Sequence, residues 1–462
     1  MKKSSSKSAR GLTRKMWLTI IIISIVVVLV LAAVVAAIFI RRSRRDDNMI
    51  TLTYANWNLD SALELRMIQS FMDMNPHIRI EIDRNISQPW TNSLSVAAAQ
   101  NRMPDVFILE DIGTKANAGW LMDMTPHVWN DLDFFDLSSN IQEAMRVGGS
   151  MNIYALPFEQ HIHGYFVNRD LFRALGVEPP AFGVSPGDFI GAVQAVTDTS
   201  RPSVGLDSVF SFVEWYPGAV NPMLGFFGYD GLGFALNSPE MLEAIHVAAE
   251  LHNGGFVFDG LAYTGAFAAD DAFISFIEGQ VALFYGGTWL AEVVLNQAEF
   301  DWEFIGVPGG RSVVTLEVLG ISSTTSHPEE AYAFARWMGH GTEGSLRRLE
   351  YAQDMGLAPQ VWPTAQSSDV LGELLAILPV PGLAELYHHL DRALISGLRV
   401  MPGYMQARFT APTGVNVPGS QLANIGVDQL IRYSILGYTH YPEHSATAEA
   451  VARYQLNAAL GR

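Results

Sequence analysis

Glu159, His161 and His163 occupy alternate positions in the segment Glu159-Gln-His-Ile-His163. On an extended chain that spacing turns all three toward one side. Aromatic rings and carboxylates recur at four other points: Trp57 between two asparagines, Glu110-Asp111, Glu214-Trp215-Tyr216, and Trp289 at the end of Gly286-Gly287-Thr288-Trp289. Three chemistries use such residues. A pair of carboxylates about 5–9 Å apart cleaves glycosidic bonds, and Glu110 with Glu159 offers the right types. Two histidines at period two can begin a metal site, but no third His or Asp follows at supporting spacing. The third chemistry is recognition without reaction, in which flat rings pack on apolar ligand faces and carboxylates and amides hydrogen-bond its polar groups. The chain has no HExxH and no phosphate-binding loop. Binding is therefore the expected class, with no catalytic residue, no cofactor and no metal.

The elements that must hold these residues can be read in chain order. Met49–Tyr54 alternates like a first strand, and Asp60–Met74 carries Leu63, Met67, Ile68 and Phe71 at helical spacing, with Asp60 or Ser61 as N-cap. Asn75-Pro76 ends that helix, and a strand, a second helix over Thr91–Asn101 and a third strand over Pro104–Leu109 follow. This order implies a parallel sheet with ligands at its carboxyl ends, where Asn56-Trp57-Asn58 and Glu110-Asp111 lie. Tyr154–Phe158 reads as a short strand stopped by Pro157, and Gly164–Asn168 as a second one after the polar insert. Arg169–Phe172 then opens a helix that Gly176 closes. Later helices are expected over Pro186–Thr197, Pro239–Asn253 and Ala268–Glu278, with Phe212–Pro217 as an aromatic loop. The helix beginning at Pro328 has proline at its first position and Glu329 and Glu330 in its first turn, both favourable there.

With 462 residues, 49% of them hydrophobic, the chain can bury a large core and more than one domain. It has no cysteine, which excludes disulfides, thiolate sites and a lipidated cysteine. Met16–Ile40 is 25 residues without a charge, long enough to span a bilayer. Six basic residues precede it and four follow in Arg41–Arg45, which favours a cytoplasmic N-terminus, and the length of the apolar run favours a single-pass anchor over a cleaved signal peptide. Residues 1–49 carry ten Lys and Arg against two Asp. The rest of the chain therefore has 19 basic against 45 acidic residues, net −26, with Lys115 its one lysine. So acidic a surface disfavours nucleic acid and anionic membrane as partners.

Several stretches together resemble a known family. They are Leu156-Pro157-Phe158, the polar insert, then Tyr165-Phe-Val-Asn-Arg-Asp-Leu-Phe172, Gly176 and Glu178-Pro179-Pro180. Pro104–Asp111, Ala118–Pro126, Phe276–Trp289, Val307–Gly310 and Leu319–Met338 extend the likeness over about residues 50–462. The chain resembles the extracellular solute-binding proteins of ABC importers (family 1, sugar-binding, maltose-binding-protein-like). It departs at Gly183–Asp188, in a surface loop where the family has Thr-Trp before an acidic helix start.

The resemblance implies an α/β, two-lobed periplasmic-binding-protein fold (type II-like) with an interlobe hinge, preceded by one transmembrane helix. The implied layout is a basic cytoplasmic tail at 1–15, an anchor at 16–40 and a linker at 41–49. Lobe 1 would hold 50–158 plus 310–345, and lobe 2 would hold 159–309 plus 346–462. Hinges fall near Phe158–Gly164 and Val307–Gly320. The implied function is extracellular capture of a sugar or oligosaccharide by a monomer anchored to the membrane of a Gram-positive bacterium, and delivery to ABC permease subunits. Polyamine binding, or a tethered sensor feeding a signalling partner, are the alternatives. The ligand-binding candidates are Trp57, Glu110, Asp111, Glu159, His161, Glu214, Trp215, Tyr216 and Trp289. Each has a plainer reading: a tryptophan as core, Glu110 or Asp111 as a helix cap, His161 as a hinge histidine with its bonds satisfied.

Overall fold

The computed structural model describes residues 49–198, 200, 203–261, 267, 270–359, 361–417 and 424–462. The expected anchor over Met16–Ile40 lies outside these residues, and no helix among the described ones is long and apolar enough to cross a membrane. The chain falls into two compact units. Among the described residues, one holds 49–51 and 72–80, and the other runs over 52–71 and from 81 to 462. In the smaller unit the Ile50 N–H donates to the His77 carbonyl at 2.9 Å. The larger unit carries every candidate residue.

Nine strands occur among the described residues: β1 (Ile50–Ala55), β2 (Ile78–Ile82), β3 (Val106–Leu109), β4 (Leu156–Asn168), β5 (Val204–Leu206), β6 (Val281–Gly287), β7 (Trp302–Ile305), β8 (Val313–Ile321) and β9 (Leu394–Ile395). The helices that matter below are α1 (Ala62–Met74), α2 (Trp90–Ala99), α3 (Ile112–Asn117), α4 (Phe212–Val220), α5 (Pro239–Asn253), α6 (Pro328–Met338), α7 (Gly397–Val400) and α8 (Val427–Ile435). In the larger unit the sheet runs β1-β3-β8-β4-β6-β5, with β7 also on β4 and β9 on β8. As expected, β1 and β3 are parallel, and α1 buries Leu63, Met67, Ile68 and Phe71. The sheet is not wholly parallel, because β8 enters antiparallel to both β3 and β4.

Two expectations are corrected. The polar insert is no break between two strands: Leu156–Asn168 is one strand of 13 residues. Its alternation continues the ladder, with Gln160 and Ile162 buried on one side while Glu159, His161 and His163 pair toward Glu317, Thr315 and Val313. Pro157, which lacks an N–H, sits at the register shift before Glu159, where the ladder is interrupted anyway. The segment Phe212–Pro217 is no loop but the body of α4, with Pro217 inside the helix. Burial of Phe212, Trp215 and Tyr216 outweighs the backbone hydrogen bond that proline removes.

Candidate functional site

Strand register puts the candidate residues at one place. Leu109 at the end of β3 is level with Val318, and Val318 is level with Pro157. The end of β6, Gly287, is level with His163. Because β3 runs along β4 and β6 runs against it, the carboxyl ends of the two strands point at each other. Between them lies the stretch 158–162 of β4 with its partner stretch of β8. Carboxyl ends of parallel strands are where sheets of this kind leave room for a ligand.

A row of side chains follows on one face. Glu159 and Glu317 are cross-strand partners, and each has its own partner on a neighbouring side chain. The His161 imidazole lies 3.1 Å from Glu159 through Nε2, and its Nδ1 lies 3.4 Å from the Thr288 hydroxyl. Arg399, on α7, grips Glu317 with both prongs: Nε to Oε2 at 3.0 Å and Nη2 to Oε1 at 3.1 Å. Burial pushes the Glu317 carboxyl up, as does nearby Glu159, while Arg399 pulls it down. The Arg399 guanidinium also lies 5.2 Å from the centre of the Trp57 ring. Trp90 meets that ring edge-on at 5.4 Å.

At the other end of the row stands Trp289, 49% exposed. Its ring is fixed from below by two imidazoles in edge contact, His161 at 5.2 Å and His163 at 4.8 Å. The ring also folds back over Gly287, where an added Cβ would lie 2.0 Å from a ring carbon. Gly287 is therefore a seat for the indole. His163 is bonded to the Thr315 hydroxyl at 2.9 Å. Burial, and next the neighbouring His161, pull its pKa down to about 3, so the ring is neutral at ordinary pH.

Beside Trp57 opens a cavity of about 410 Å³, lined also by Asn58, Asp60, Ser61, Leu63, Val361 and the buried pair Glu64–Arg348. That pair closes at 2.8 Å, and Tyr54 donates to the same Glu64 at 2.9 Å. The floor of this cavity is thus a finished network whose carboxylate is already satisfied.

The remaining candidates divide. Glu110 accepts from the Thr91 hydroxyl at the start of α2. Asp111 is the N-cap of α3, accepting from the Thr114 N–H at 2.7 Å, so the capping reading holds for it. Burial raises its pKa, against that N–H and Lys115. Glu214 is bonded to Arg408 at 2.7 Å, and Arg408 also holds Asp428 at 3.0 Å. Trp215 is wholly buried and spends its N–H on the Tyr165 hydroxyl at 3.1 Å. Tyr216 is 4% exposed and stacks on Phe212. Both rings are packed in the core rather than presented on the row. A helix packed into the core turns the side chains of its broad inner face inward, where a loop would have offered them.

The structure thus gathers Trp57, Glu159, His161 and Trp289 into one row, with Glu110 and Asp111 at the end of β3. It adds Glu317, Arg399, Thr288 and Thr315, which sequence reasoning missed. Thr315 and Glu317 left a signal, as polar residues at period two in the apolar run Val313–Ile321. Arg399 left none, because its partner lies 82 positions away. No group of three metal-ligating side chains occurs among the described residues.

The model of the family "Bacterial extracellular solute-binding protein" matches residues 56–339. No curated protein matches. Similar solved structures include an ABC substrate-binding protein from Listeria monocytogenes in complex with cycloalternan, at 19% identity and TM-score 0.63, covering 89% of this chain and 99% of that one. A cyclic α-maltosyl-1,6-maltose binding protein from Arthrobacter globiformis shares 18% identity at TM-score 0.65, covering 89% and 100%. The sugar-binding protein MalE from Xanthomonas citri shares 14% at TM-score 0.66, covering 88% and 98%. At these identities the likeness is one of fold.

Proposed function

Because the chain belongs to the family of bacterial extracellular solute-binding proteins, we propose that it captures a neutral sugar or oligosaccharide and delivers it to an ABC permease. One observation carries the neutral part. The carboxylates that a polyamine would need are already engaged: Glu159 by His161, Glu214 by Arg408, Asp111 by the start of α3 and Glu110 by Thr91. What the row leaves free is the exposed Trp289 ring and the open side of Trp57. Rings with satisfied charges behind them suit a ligand with apolar faces and hydroxyl edges. The similar proteins that bind cycloalternan and a cyclic maltosyl-maltose agree with that class.

In this reading lobe 1 is 50–158 plus 310–345 and lobe 2 is 159–309 plus 346–462. The ladder between β4 and β8 is the hinge, and closure over the row traps the ligand. The apolar run Met16–Ile40 tethers the domain outside the cell as a monomer. Glu110 and Glu159 take no catalytic part, since both are held by neighbours.

A thermal-shift screen of the full chain in detergent tests this, with neutral saccharides including cycloalternan against spermidine. A ligand that binds only the folded state stabilises by about 2.7 kcal/mol at a hundredfold excess over Kd. We expect a saccharide to raise the melting temperature equally at low and high salt. A shift by spermidine alone, fading with salt, would transfer the site to the carboxylates.

A further inference from the structure

Trp57 follows β1, Glu317 lies on β8 and Arg399 on α7, three segments far apart in sequence that meet at a single guanidinium. Arg399 uses Nε and Nη2 on the two oxygens of Glu317 at 3.0 and 3.1 Å, which fixes the plane of the fork. That plane is carried to within 5.2 Å of the Trp57 ring centre, while Trp90 blocks another side edge-on at 5.4 Å. Both members of the ion pair are mostly covered, Arg399 at 19% and Glu317 at 15% side-chain exposure. A pair so placed resists swinging into solvent.

We propose that Arg399, oriented by Glu317, is a positioning residue that holds the Trp57 ring in place as the second aromatic platform of the ligand row. The proposal rests on the solute-binding reading above and adds how one platform is set. Arg399 acts through Trp57, and its own charge is consumed by Glu317. The arrangement also divides the labour between the two platforms: Trp289 is seated by a glycine and two imidazoles, Trp57 by a charge pair. Lysine cannot replace Arg399, because a point charge has neither the two-pronged grip nor the flat face.

The test has two readouts on the full chain. The first needs no ligand: acrylamide quenching of the Trp57 fluorescence, taken as the difference between each protein and its Trp57→Phe counterpart. Arg399→Gln and Arg399→Lys should each raise that quenching about twofold, since the covered face opens. The second is a double-mutant cycle in affinity for the saccharide giving the largest thermal shift. Arg399→Gln should weaken binding about tenfold in the presence of Trp57 and by less than about twofold on Trp57→Ala. Equal losses in both backgrounds would make Arg399 a direct or merely structural contributor and overturn the proposal. Unchanged quenching in both Arg399 variants would overturn it as well. If no saccharide binds wild type, the saccharide reading falls and the quenching result alone decides the positioning role. If Arg399→Gln does not fold, Arg399→Lys, which keeps the charge opposite Glu317, takes its place in the cycle.

Discussion

Trp289 and Trp215 look alike in the sequence, each a tryptophan in a short aromatic stretch beside polar residues. In the structure they are opposites. Trp289 follows two glycines at the end of β6, folds over Gly287 and keeps half of its surface open. Trp215 lies on α4, is fully buried against Tyr165, Phe189 and Phe212, and has its N–H bonded. Their polar neighbours differ in the same way. Glu214 turns away from Trp215 into a buried knot with Arg408, Tyr404 and Asp428, whereas Thr288 turns to His161 on the row. The aromatic residue at the glycine-bearing strand end keeps an open face, and the one on the helix is consumed by the core.

The largest effects should come from the buried side. Trp215→Ala is expected to lower stability by about 3–5 kcal/mol in urea unfolding, as for other core tryptophans. Arg408→Met should cost a similar amount, about 3–5 kcal/mol, because Glu214 would be left without its cation and Asp428 would keep only Arg432. A small cost in both would erase the contrast between the two regions.

Next in size is a pH effect behind β6. Burial pushes the Asp207 carboxyl up to about 8, against the N–H groups of Tyr285 and Ser208. The folded pKa lies above the unfolded one, so the contribution of Asp207 is complete below about pH 4 and is lost as pH rises toward 8. Asp207→Asn keeps an acceptor for the Tyr285 N–H, which the carboxylate now takes at 3.1 Å. Its melting temperature relative to wild type should therefore climb steadily from pH 5 to pH 8. A flat difference would show that Asp207 is not the titrating group.

Smaller still in stability, but decisive for ligand, is Gly287→Ala. The new methyl group would occupy the seat of the indole, so the ring must swing away. Saccharide affinity should fall about tenfold, close to the loss on deleting the ring, while stability changes by about 1 kcal/mol or less. Full affinity in Gly287→Ala would mean that the seat does not set the platform.

How much could be read from the chain follows the same division. The strand and helix order from Ile50 to Leu109 was legible because each element is local and strictly periodic. The facing of Glu159 and His161 was legible because period two survives in any strand. Continuity of β4 through the polar insert was not, since it depends on β8, some 150 positions later. The fate of Glu214, Trp215 and Tyr216 depended on Arg408 and Tyr165, neither of which is near in sequence. Arg399 escaped for the same reason: its ion pair with the distant Glu317 leaves no mark on its own segment. The row itself was therefore half legible, in its strand residues and its glycine-seated ring.

The central claim is that exposed rings, not charges, take the ligand. Calorimetric titration of wild type and Trp289→Ala with the saccharide found in the screen tests it most directly. The expected result is an affinity loss of about tenfold or more, with the melting temperature of the unliganded protein within about 2 °C of wild type. Unchanged affinity in Trp289→Ala would contradict it.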